Sequence, residues 1–173
     1  MLYFAYGSNM STPRLAARLD FVKYVGVAVL DGHRLVFHKA GMDDSAKCDA
    51  FRTDAPADAV IGVVFRIDVH EKPVLDSIEG LGSGYAQKQV RVTTRQGGQL
   101  DVFLYLATHI DRTFRPYEWY KRHVLHGARE HGLPADYICC IEETESMADP
   151  DAGRHAAEML IYDASMTSRE TRR

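Results

Sequence analysis

The sequence predicts an α+β domain: a mixed or antiparallel sheet of about seven short strands, with helices first inserted and then appended. Short β-prone runs fill the first two thirds of the chain, and Asp31-Gly32 and Gly97-Gly98 punctuate them as hairpin signals. Helix-like segments marked by Pro116, Gly132 and Pro134 occupy the last third. Seven strands joined in this way can curl into a small barrel. No internal repeat or low-complexity linker divides the chain, so residues 1–165 read as a single domain and the polar residues 166–173 as a frayed tail.

Each element has a local reason. The apolar run Leu2-Tyr3-Phe4-Ala5-Tyr6 stops at Gly7-Ser8-Asn9 and reads as a strand. Pro13 suits a first helical turn, and Leu15, Ala16 and Leu19 share one face of a short helix ending near Asp20. Strands over 21–30 and 33–38 follow, predicted to pair as a hairpin across Asp31-Gly32. Residues 41–47 read as a flexible loop, and 48–53 and 59–67 as strands, the second apolar on both faces and therefore central. A helix is expected over 68–78, with Asp68 and Glu71 at capping-box spacing, Leu75 and Ile78 facing inward, and Pro73 limiting its upstream regularity. Strands 85–95 and 99–107 alternate around Gly97-Gly98 as a second hairpin. Helices are expected from Pro116 to His131, from Pro134 to about Glu145, and from an Asp149-Pro150 cap toward Asp163.

Composition narrows the partners. The chain has 173 residues, 46% of them hydrophobic, enough for one sizeable core. Its 24 acidic and 21 basic side chains give a formal charge of −3, without the basic excess that nucleic acid or an anionic membrane would attract. A small metabolite is the expected partner. Cys48, Cys139 and Cys140 form neither a disulfide framework nor a C-x-x-C metal motif, and read as small buried side chains in a reducing compartment. No apolar run approaches membrane-spanning length and no leader is evident, so a cytoplasmic location is expected.

Two places could hold chemistry. A strand delivering Gly7-Ser8 to a helix start makes an anion cradle, because glycine lets backbone amides approach a ligand and first-turn N–H groups lack intrahelical partners. An ordinary strand-to-helix turn is the alternative. Glu79 ends a helix and is followed by Gly80, Gly82 and Gly84, which let backbone fold closely around a ligand; a surface side chain at a helix C-terminus is the plain alternative. The glycine run follows a helix and precedes a strand, the wrong order for a dinucleotide loop. Ser8 lacks a nucleophile elbow and an assignable histidine. His123 and His126 sit three apart as zinc ligands can, yet without a second pair they read as a solvated helix face. Tyr117, Tyr120, Val124 and Ala128 form an apolar stripe of ordinary core type.

Taken together, Tyr3-Phe4-Ala5-Tyr6-Gly7-Ser8-Asn9, Gly62-Val63-Val64, Leu75-Asp76-Ser77-Ile78-Glu79-Gly80, Ser83-Gly84-Tyr85, Tyr120-Lys121 and Gly127-Ala128-Arg129-Glu130-His131-Gly132-Leu133-Pro134 resemble the γ-glutamylcyclotransferase family, in family order over roughly residues 2–145. The resemblance implies a small closed or nearly closed barrel flanked by helices, and conversion of γ-glutamyl compounds into 5-oxoproline and a free amine. It implies that Glu79 is the acid/base, that Tyr3, Phe4, Ala5, Tyr6, Gly7 and Ser8 hold the glutamyl part, and that Tyr85 and Tyr120 line the pocket. A homodimer is compatible with it.

The chemistry makes its own demands. The substrate α-amine, with a pKa of roughly 8, is mostly protonated at neutral pH, so a base must free it before it attacks the γ-carbonyl. A carboxylate in a water-excluding pocket, its pKa raised toward neutrality, can take that proton and return it to the departing nitrogen. Holding one molecule in attack geometry is worth on the order of 7–11 kcal/mol. This chemistry calls for neither metal nor cofactor. A non-catalytic domain that binds γ-glutamyl compounds on the same scaffold is the rival, and the leaving amine is not specified.

Overall fold

A computed structural model describes residues 1–170, with side chains through Tyr162. It contains seven strands, five closed into a barrel and two in a separate sheet. β1 (Leu2–Ala5) leads through a 3₁₀ turn at Ser8–Met10 into α1 (Thr12–Ala16), with Pro13 in its first turn. β2 (Val22–Asp31), β3 (His33–Ala40), β4 (Ala46–Arg52) and β5 (Ala59–Ile67) follow. α2 (Lys72–Glu79) separates them from β6 (Tyr85–Thr94) and β7 (Gln99–Ala107). α3 (Glu118–Glu130), α4 (Ala135–Glu143) and α5 (Ala152–Glu170) complete the chain.

The barrel order is β1-β5-β2-β6-β7, antiparallel throughout except where β7 returns parallel to β1 at Tyr3 and Phe103. β5 is central as its composition predicts: it pairs with both β1 and β2, and Val60, Val63, Val64, Phe65 and Ile67 are buried. Phe4, Phe65 and Phe103 are among the largest fully buried side chains. The β6-β7 hairpin forms around Gly97-Gly98 as expected.

The hairpin expected at Asp31-Gly32 does not form. β2 pairs with β5 and β6, whereas β3 pairs with β4. Gly32 alone separates the two strands, in the left-handed region at φ 67°, and its carbonyl accepts from the amides of Thr53 and Asp54. The glycine therefore hands the chain from one sheet to the other rather than folding it back.

Other local expectations are also corrected. Asp68 caps the 3₁₀ turn at Val69–Glu71 by accepting from the His70 amide, but Glu71 turns away to the amides of Asp20 and Phe21, so no capping box closes. Leu75 is buried while Ile78 is exposed, because α2 ends against an open groove. β4 starts at Ala46, inside the expected 41–47 loop, and Asp43 organises the remaining turn by accepting from Ser45 and Lys47. Cys48 is buried, yet Cys139 and Cys140 are exposed on the outer face of α4. Asp151, not Asp149, caps α5, by accepting from the Arg154 amide; Asp149 instead binds the Arg154 guanidinium and the Trp119 indole N–H. α5 extends to Glu170 through most of the expected tail, and 171–173 lie outside the described residues.

Candidate active site

β1 carries Tyr3 on its inner side and delivers Gly7-Ser8 to the mouth of the barrel. Tyr3, Tyr6, Gly7, Ser8, Asn9, Cys48, Glu79, Tyr85, Tyr105 and Tyr120 line one small cavity there. Two distant stretches, the N-terminal turn and the end of α2, thus meet. Phe4 and Ala5 are fully buried but contribute no wall: they support the turn from beneath.

Glu79 is not a solvated helix-end residue. Its side chain is 17% exposed, and Gly80, left-handed at φ 70°, stops α2 immediately after it. Asn9 Nδ2 donates to Glu79 Oε1 at 2.8 Å, and Arg18 Nη1 reaches the same oxygen at 3.3 Å. Arg18 also donates to Asn9 Oδ1 at 2.7 Å, while Asn9 Nδ2 lies 3.1 Å from the Tyr3 hydroxyl, which accepts. One carboxylate oxygen is thereby fixed; the other accepts no hydrogen bond among the described residues and remains available for a proton.

The walls hold each other. Tyr85 donates its hydroxyl proton to the Cys48 carbonyl at 2.6 Å, and the Cys48 amide donates to the Tyr120 hydroxyl at 2.9 Å. Tyr6 donates to the Tyr105 carbonyl, and Tyr105 to Asp76 at 2.6 Å. Burial raises the pKa of Tyr3, Tyr6, Tyr85 and Tyr120 far above the ordinary tyrosine range, with the Glu79 charge adding to the effect on Tyr3, Tyr85 and Tyr120. These hydroxyls are fixed, neutral dipoles. Burial likewise pushes the Cys48 thiol up to about 12, so it serves as an apolar wall rather than a nucleophile.

Gly7 is required by close approach. A Cβ there would lie 3.0 Å from Cys48 Cβ and 3.3 Å from the Tyr120 hydroxyl. The Gly7 and Ser8 amides donate to no group among the described residues, so they offer two donors to the cavity. No histidine lines it, which removes the base a Ser8 nucleophile would need. His123 is not on a solvated face either: it is buried between Arg14 Nη1 at 2.7 Å and the Tyr162 hydroxyl at 2.6 Å. Among the described residues no group of three or more His, Cys, Asp or Glu is placed to hold a metal.

Asn9, Arg18, Cys48 and Tyr105 join the site without having been singled out from sequence. Asn9 adjoins the Gly-Ser turn and offered a signal; Arg18 and Tyr105 are brought in only by the closed barrel and its helical cover. On its outer side the cavity opens into a wider groove that shares Ser8, Glu79, Tyr85 and Tyr120 and continues past Lys39, Lys47, Trp119 and Arg154.

Residues 59–140 match the AIG2-like family. The chain is 35% identical to a γ-glutamylcyclotransferase from Mus musculus and 34% identical to one from Homo sapiens, each over 140 residues covering 79% of this chain and 74% of the relative. Among solved structures it resembles a γ-glutamyl cyclotransferase with a TM-score of 0.81 at 28% identity, covering 94% of this chain and 98% of that one. An uncharacterized human protein is similar with a TM-score of 0.76 at 31% identity, covering 84% and 88%.

Proposed function

The chain belongs to the γ-glutamylcyclotransferase family, and from that premise we propose how its cavity closes a γ-glutamyl group into 5-oxoproline and frees the attached amine. The observation that carries the proposal is the 2.8 Å bond from Asn9 to Glu79, which ties the proton-accepting carboxylate to the turn bearing the free Gly7 and Ser8 amides.

The glutamyl carboxylate rests on those two amides, and the tyrosine walls exclude water from the folded chain. Glu79 takes a proton from the α-ammonium through its unengaged oxygen, while Asn9 and Arg18 hold the other. The freed nitrogen attacks the γ-carbonyl carbon, forming the ring C–N bond. As the tetrahedral intermediate collapses, Glu79 gives the first proton to the departing nitrogen and the original amide C–N bond breaks; the same carboxylate then takes the second proton from the ring nitrogen and passes it to the freed amine, which leaves as an ammonium. The amine leaves through the wider groove. The charge-balanced cycle restores Glu79. We place it in a reducing, cytoplasmic setting, in keeping with three free cysteines; no helix among the described residues is long and apolar enough to cross a membrane.

The test is release of 5-oxoproline from a panel of γ-glutamyl amino acids, glutathione and γ-glutamyl amines. Wild type turns over at least one of them, and Glu79→Gln, isosteric but unable to accept the proton, loses about 10²- to 10⁴-fold in kcat. Binding without product across the panel would return the protein to the binding-only reading. Full activity of Glu79→Gln would remove Glu79 from the mechanism.

A further inference from the structure

The groove outside the cavity is lined by five cations, and four of them are engaged. Arg14 pairs with Glu158, Arg18 with Glu79 and Asn9, Lys47 with Asp43, and Arg154 with Asp149. Lys39 is different. It is 9% exposed, yet its ammonium has no hydrogen-bond or ion-pair partner among the described residues. It stands 5.0 Å from the Tyr85 ring centroid and lines the groove together with Glu79, Ser8 and Tyr120.

Two local features put it there. The β3-β4 register shifts between Phe37 and Lys39, a bulge that re-aims the side chain. Gly84 then leaves room: a Cβ at that position would lie 2.8 Å from both Cε and Nζ of Lys39. An ammonium on the groove wall that no carboxylate or hydrogen-bond acceptor engages directly favours an incoming anion. Burial lowers the Lys39 pKa from the ordinary lysine value, while the negative charges of Glu79 and Asp43 act in the opposite direction.

We propose that Lys39 is a specificity-determining residue that receives a carboxylate of the departing amine. The inference rests on the cyclotransferase reading, because the departing nitrogen must lie beside Glu79 for its substituent to reach Lys39. No bond is made or broken at Lys39; it acts by charge-assisted hydrogen bonding to the leaving group.

The experiment compares γ-glutamyl-L-alanine with γ-glutamylethylamide, which differ by that carboxylate alone. For wild type, kcat/KM favours the alanine compound. In Lys39→Met the ratio of the two kcat/KM values falls by about 10- to 100-fold, chiefly through KM for the alanine compound, and Lys39→Arg restores much of it. An unchanged ratio in Lys39→Met overturns the proposal, whether or not both rates fall together, since a structural role or an effect through Glu79 would lower both substrates equally. Gly84→Ala, which displaces the Lys39 ammonium without removing it, is expected to lower the same ratio; no change there, with the Lys39→Met ratio also unmoved, contradicts the assignment. Absence of 5-oxoproline from both compounds with wild type would instead refute the underlying activity.

Discussion

At the residue scale, the site depends on how Asn9 divides its amide between Tyr3 and Glu79 while accepting from Arg18. Asn9→Ala removes all three bonds and lets the carboxylate swing. We expect kcat for 5-oxoproline formation to fall about 10- to 100-fold with a smaller change in KM, read by steady-state kinetics. Arg18→Gln should act in the same direction, since it removes the second donor to Oε1 and leaves Asn9 Oδ1 without its partner. Part of the lining was legible from sequence. Glu79, at a helix end before three spaced glycines, reads from the residues alone as readily as a surface side chain, and the family resemblance supplies its role. Gly7-Ser8 stood out because strand, glycine and helix start succeed one another. Arg18 did not, because nothing local distinguishes it from a surface arginine; only the fold, which brings the residues after α1 beside Glu79, gives it a target. Phe4 and Ala5 were expected at the ligand on family resemblance, but alternation along β1 turns Tyr3 to the cavity and sends Phe4 into the core.

At the element scale, the cradle is held from outside by α3. A Cβ on Gly127 would lie 2.4 Å from the backbone of Met10 and Ser11, so the helix touches the 3₁₀ turn main chain to main chain. Gly127→Ala must therefore push the turn or the helix. The expected cost is about 1–3 kcal/mol of stability, measured by denaturant unfolding, with a parallel loss of kcat. Element type and order followed well from hydrophobic period and from Pro and Gly placement, and β5 matches its expected span of 59–67. Pairing followed less well. Asp31-Gly32 carries a strong hairpin signal, yet local turn chemistry states only that the chain turns, and the partner of each strand is set by the closed barrel. β2 finds β5, far along the chain, because apolar faces on both must be buried together.

At the scale of the whole molecule, α5 is fastened to α1 and α3 by a largely buried polar junction. Arg14 Nη1 donates to both His123 and Glu158, and His123 meets Tyr162 through its other ring nitrogen. Burial lowers the His123 pKa to about 4, so the folded protein holds it neutral. Despite opposing desolvation, the His123 and Arg14 contacts lower Glu158 to about 2. Both folded values lie below the unfolded ones, so the unfolded chain binds more protons as pH falls. The histidine contribution is present above about pH 6.5 and fades toward pH 4; the Glu158 contribution is present above about 4.5 and fades toward 2. Tm is expected to drop between pH 7 and pH 4.5, and His123→Gln to flatten that part of the profile. Such a junction was hidden in the sequence, where His123 looked like one of a solvated pair, because its partners come from α1 and α5. Catalysis depends on one meeting of distant segments, and a crystal structure with bound 5-oxoproline or a non-hydrolysable γ-glutamyl analogue tests that meeting most directly. The ligand carboxylate is expected on the Gly7 and Ser8 amides, with its nitrogen about 2.6–3.2 Å from a Glu79 carboxylate oxygen. A ligand bound elsewhere, or held in the cavity with its nitrogen out of reach of Glu79, would contradict it.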